Sequence, residues 1–75
     1  MENKIYIKNL FGDWKETNNK EEIDAHIRKH SIMENIDSVE EMLHYLKTLF
    51  VKGIDDDTLI RYIKEVNKWK IEHSL

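Results

Sequence analysis

Apolar positions in this chain fall into four groups, and the spacing within each group points to the element it forms. From Lys4 to Asn9 they alternate with polar ones: Ile5 and Ile7 share one side, Lys4, Tyr6 and Lys8 the other. That is the period of a half-buried strand, and the β-branched and aromatic Ile-Tyr-Ile run favours it. Ile7, Leu10, Phe11 and Trp14 also fit one face of a helix, but Gly12-Asp13 supplies a turn on which a strand can end. We read a strand over residues 4–9, and a second over Trp14–Thr17 would close a hairpin.

The other three groups repeat at the helical period. Asn19 stands three residues before Glu22, the spacing of a capping box, so a helix should start near Lys20 and end near Ile32. Its apolar seam is narrow, only Ile23 and Ile27, flanked by His26 and His30. Asp37 or Ser38 caps the second helix, with Glu40 or Glu41 completing the box. Val39, Met42, Leu43, Leu46, Leu49 and Phe50 then share one face, and Lys52-Gly53 provides a basic last turn and a glycine stop. Asp55 or Asp56 caps the third helix. Its stripe is Leu59, Ile63 and Val66, widened by Tyr62 and Trp69 on one side and Ile60 and Ile71 on the other. The fold class is α+β, mainly α: a short N-terminal strand or hairpin followed by three helices. Its core should centre on the second and third helices, with Leu46 and Ile63 fully buried.

Length changes the expectation about stability. Seventy-five residues make a single small domain, 1–75, and a domain of that size buries only about 60% of the surface its unfolded chain exposes. Cysteine is absent, which removes disulfides and thiolate zinc sites and fits a cytoplasmic location. Self-association is the remaining staple, and two N-terminal strands paired across a two-fold axis would make a homodimer. Met1-Glu2-Asn3-Lys4 leads into no long apolar run, so neither a signal peptide nor a spanning helix is expected. Lysine far outnumbers arginine (Arg28 and Arg61), and Ala25 is the sole alanine, a bias typical of AT-rich bacterial or phage genomes.

A net charge of −3 argues against a general nucleic-acid binder. The charge is unevenly spread. Residues 31–57 hold Lys47 and Lys52 against Glu34, Asp37, Glu40, Glu41, Asp55, Asp56 and Asp57. Residues 58–75 hold Arg61, Lys64, Lys68 and Lys70 against Glu65 and Glu72. Arg61, Lys64 and Lys68 share the outward face of the third helix, with Trp69 at its edge. Tryptophan and arginine are enriched among interface hot spots, so these four residues form the expected docking surface for an acidic protein partner.

No other cluster carries chemistry. In Asp55-Asp56-Asp57 the glycine precedes the acids, and Leu59 and Ile60 occupy places where a calcium loop needs ligands. Helix capping explains the aspartates better. His26 and His30 have the spacing of two metal-binding imidazoles on a helix, but Ile27-Arg28-Lys29 between them brings two cations and no glutamate. Ser31, Ser38 and Ser74 sit at expected helix ends, and there is no nucleophile elbow or glycine-rich phosphate loop. We therefore expect no catalytic residue, no cofactor, no metal and no small-molecule substrate.

Two resemblances bear on function. Ile5-Tyr6-Ile7-Lys8-Asn9-Leu10 looks like the first signature segment of the RNA-recognition motif, where a central strand presents an aromatic to a base. The second signature segment of that family has no counterpart, because Lys52-Gly53 is followed by Ile54 and three aspartates. That reading is set aside. The order strand, helix, helix, with "IDSVEEMLHYL" as second helix, resembles a ribbon-helix-helix regulator. The resemblance implies a dimer that places Lys4, Tyr6 and Lys8 in the major groove, with Ile5 and Ile7 in the core. Here Leu10–Asn19 separates strand and helix where that family has a short turn, and residues 34–41 are acidic where its second helix nears phosphate. The leading expectation is a non-catalytic protein-protein interaction module, of the kind found among small accessory or inhibitory proteins of phages and mobile elements. A dimeric DNA-binding regulator is the alternative.

Overall fold

The computed structural model describes residues 4–73, so Ser74 lies outside it. Its elements are β1 (Ile5–Lys8), β2 (Trp14–Thr17), α1 (Lys20–Met33), α2 (Val39–Leu49), β3 (Val51–Lys52) and α3 (Asp56–Glu72). The N-terminal hairpin and the three helices stand where the apolar periods put them. The sheet has the order β2-β1-β3 and is antiparallel throughout. In its register Tyr6 faces Glu16 and Lys52, Ile7 faces Lys15 and Val51, and Lys8 faces Trp14.

Alternation along β1 then divides the sheet. Ile7 and Val51 point inward and join Ile23, Ile27, Met42, Leu46, Leu59, Ile63 and Val66 in one buried cluster. Leu46 and Ile63 are completely buried, as their central place in the two stripes predicts. The helices supply most of this core because each turn adds one or two apolar side chains to the shared seam.

Each helix starts on a side-chain cap. Asn19 Oδ1 accepts from the Glu21 amide at 2.9 Å, Ser38 Oγ from Glu41 at 3.3 Å and Asp55 Oδ2 from Thr58 at 3.0 Å. The capping box read at Asn19 does not close through Glu22. That carboxylate instead meets Lys15 at 2.8 Å and accepts from Thr17 Oγ1 at 3.2 Å, tying α1 back to the hairpin. Lys15 holds its pKa below the ordinary carboxylate value.

The second helix ends earlier than its apolar pattern suggests. Phe50 is its cap, and Val51-Lys52 turns into β3 rather than a last helical turn. The Lys8 amide donates to the Phe50 carbonyl at 2.8 Å, which draws this segment onto the sheet. Leu49 at the end of α2 is about half exposed and Ile71 at the end of α3 is largely exposed, so neither belongs to the buried part of its stripe. Gly53 is more than a helix stop. Its φ of +87° suits glycine, and a Cβ there would collide with the Lys4 carbonyl oxygen.

α1 and α3 lie side by side and run the same way. Lys20 at the start of α1 bonds Glu65 in the middle of α3 at 2.7 Å, and Lys70 donates to Ser31 Oγ at 2.8 Å near their ends. Lys70 also reaches the Ile36 carbonyl at 3.3 Å and Asp37 Oδ1 at 2.7 Å, so one ammonium fixes the α1–α2 connection to α3. Asn67 adds a bond from Nδ2 to the Asp37 carbonyl at 3.0 Å.

Candidate functional site

The turn between β1 and β2 is organised by Asn9. Its amide donates to the Asp13 carbonyl at 2.9 Å, and its Oδ1 accepts from the amides of Phe11 at 2.9 Å and Asp13 at 3.0 Å. The Gly12 amide returns to the Asn9 carbonyl at 3.1 Å, with Gly12 at φ +89°. An Asn side chain bonding backbone amides ahead of it is a common turn former. The result is a braced tip that holds Phe11 91% and Leu10 59% exposed.

Behind the tip lies the outer face of the sheet. Tyr6 and Lys8 of β1, Trp14 and Glu16 of β2 and Lys52 of β3 all project from it. Lys52 Nζ stands 4.3 Å from the Trp14 ring centroid and 5.4 Å from that of Tyr6, while Lys8 Nζ is 5.8 Å from Trp14. Lys4 is exposed just before β1. The structure thus brings Tyr6 and Lys8 to the open side, where the alternation placed them, and leaves Lys4 exposed just ahead of the strand. It does not leave them on a lone ribbon: β1 is the middle strand, flanked by β2 and β3. A two-fold pairing through β1 has no free edge to use.

Arg61, Lys64 and Lys68 are exposed along α3, and among the described residues none of the three pairs with a carboxylate. Trp69 is placed differently from a free anchor. The Arg28 guanidinium lies 5.0 Å from its ring centroid, and His73 stacks on it at 4.6 Å. This surface offers free charge, but its aromatic is already engaged within the chain.

The two histidines of α1 are not arranged as ligands. Their rings meet edge to face at 4.5 Å, and His30 lies 4.1 Å from Phe50 and 5.9 Å from Tyr45. His30 is buried, and its Nδ1 has Tyr45 Oη at 3.4 Å. His26 Nε2 is buried with no hydrogen-bond partner. Burial, then the neighbouring His30, pushes His26 down to about 4, and burial lowers His30 as well. Among the described residues no group of three or more His, Cys, Asp or Glu is placed to hold a metal ion. Asp55 accepts from Thr58 and Asp56 pairs with Lys47 at 2.7 Å, which uses two of the three aspartates in helix capping and surface pairing. A shallow depression between Asp37, Asn67, Lys70 and Ile71 is lined by groups that already bond one another.

Three contributors escaped the sequence reading: Asn9 as turn organiser, Phe11 as a displayed side chain and Lys52 as a sheet residue. Asn9 had a local signal, since Asn three residues before Gly-Asp marks a turn. Lys52 had none, because its partner Tyr6 lies far away in sequence. Among the described residues no helix is long and apolar enough to cross a membrane. No protein-family model matches the chain, and neither a curated protein nor a solved structure matches it.

Proposed function

We propose that this chain is a small non-catalytic protein-protein interaction module that docks through the tip of its N-terminal hairpin. The observation that carries the reading is the braced turn with Phe11 91% exposed. Singly exposed apolar residues are common and need no explanation. Here two adjacent large ones crown a turn whose hydrogen bonds come from Asn9 and the backbone, so the turn does not need them. A backbone already braced by these bonds loses little freedom on docking, which lowers the cost of presenting Phe11 as an interface anchor. The unpaired Arg61, Lys64 and Lys68 supply a second, electrostatic surface that favours approach of an acidic partner.

The test is a pull-down from the native host with wild-type protein and with Phe11→Ser. Loss of an anchor commonly costs about 2 kcal/mol or more, roughly thirtyfold in affinity. The expected result is a partner held by the wild type and lost by a variant that melts at the same temperature. Equal retention by both proteins would remove the hairpin tip as the docking site.

A further inference from the structure

The outer face of the sheet does something the tip does not. It gathers Lys8 and Lys52 with Glu16, in a chain whose net charge is −3. It also holds two aromatic rings close enough for one lysine to touch both, Lys52 standing 4.3 Å from Trp14 and 5.4 Å from Tyr6. Trp14 and Tyr6 are diagonal neighbours across the β1–β2 pair, a separation of about 7–8 Å between backbones. Because Ile5, Ile7 and Val51 take the helix side, no helix covers these rings.

We propose that this face binds single-stranded nucleic acid, with bases on Tyr6 and Trp14 and phosphates on Lys8 and Lys52. The lysines now lie over the rings as a cation does over a π face. A base arriving on each ring displaces the lysine stem, and the freed ammonium meets the neighbouring phosphate. Single strands are bound in this way when a cationic surface carries aromatic platforms, since every base has a flat face. An acidic peptide would engage the lysines and leave both rings uncovered, so nucleic acid satisfies more of the surface. A duplex fits poorly. Three strands span about 10 Å between outer axes before side chains are added, and the major groove is about 12 Å wide. The site does not depend on the RNA-recognition signature: its second aromatic comes from the hairpin partner and a cation from β3. It is also separate from the Leu10-Phe11 tip, so the two proposals stand or fall independently.

Fluorescence anisotropy with a labelled ten-nucleotide oligothymidylate tests it directly, at about 25 and 200 mM salt. Binding is expected at low salt, with a logarithmic salt slope of about −1.4 to −2 for two or three phosphates contacted on a single strand. Trp14→Ala should weaken it roughly fivefold or more. Lys8→Gln and Lys52→Gln should each flatten the slope, and Glu16→Gln should tighten binding. Phe11→Ser and the pair Lys64→Gln and Lys68→Gln should leave it unchanged. Thermal melts accompany each variant; should Trp14→Ala fail to fold, the lysine variants and Glu16→Gln decide. The proposal is overturned if the dissociation constant is weaker than about 1 mM at low salt. It is equally overturned if a duplex of the same length binds as well, if polyglutamate competes as effectively as the oligonucleotide, or if only the α3 variants lose binding.

Discussion

Ile5 and Ile7 leave β1 toward the helices, whereas Tyr6 and Lys8 leave it toward solvent, and the two sides of one short sheet have different tasks. On the inner side Ile7 and Val51 are sealed into a cluster with six aliphatic side chains and Met42 from the helices. On the outer side the rings of Tyr6 and Trp14 touch lysines, and beyond them Phe11 touches almost nothing. Burial of apolar area stabilises a fold whatever the partner; exposed aromatics held by a braced turn add little to it. The difference separates the residues that hold the molecule together from those free to serve another molecule.

The sharpest way to break that division is from the inner side. Leu46 is fully buried at the centre of the cluster, and Leu46→Ala should cost about 2–5 kcal/mol, enough to unfold a domain of this size. Urea denaturation measures it; a midpoint close to wild type would mean that the cluster is not the source of stability. Gly53→Ala attacks the junction of β1 and β3, where the new methyl meets the Lys4 carbonyl at a positive φ. We expect a loss of about 2 kcal/mol or more, with Tyr6 and Ile7 amides losing exchange protection before the helices do.

Acid provides a graded test. Folded His26 titrates at about 4 against an ordinary 6.5, so the unfolded chain takes up its proton first as pH falls. Its contribution to stability is complete above 6.5, is lost between 6.5 and about 4, and levels off below that. The lowered His30 acts in the same direction, and the lowered Glu22 and Asp55 add their losses through the carboxylate range. The melting temperature should fall by several degrees from pH 7 to 5, and His26→Leu should flatten that decline. The smallest effect belongs to the outer side: Phe11→Ser should change stability by no more than about 0.5 kcal/mol. A larger change in its melting curve would show that the tip packs within the chain.

Local chemistry made most of this fold legible in the sequence. Alternation at Ile5 and Ile7 marked a strand, Gly12-Asp13 marked its turn, and Asn19, Asp37 or Ser38, and Asp55 or Asp56 marked three helix starts, because caps act over two or three residues; Ser38 and Asp55 are the caps the structure uses. What the sequence hid was tertiary. β3 is two residues long and exists only because Phe50 and Val51 find β1; read alone they continue a helical stripe. Lys70 looks like another surface cation until Ser31, Ile36 and Asp37 meet it. The candidate surfaces divide in the same way. Lys4, Tyr6 and Lys8 share a face by alternation, and Arg61, Lys64 and Lys68 by helical spacing. Trp69 and Phe11 exchanged prominence because contacts with Arg28 and His73, and their lack at the tip, depend on distant or turn-specific geometry.

β1 pairs with β2 across a tight turn but reaches β3 only after α1 and α2 have been laid down between them. During synthesis these two pairings cannot form together. A hairpin closes in about 1–10 μs once its residues emerge, yet two strands alone are marginal in water. At about 5–20 residues per second, β3 follows the hairpin out of the ribosome by several seconds. Throughout that interval Ile5 and Ile7 lack their cover, and the nascent chain is exposed to chaperones or to aggregation through the same β1 edge that Val51 and Lys52 finally close.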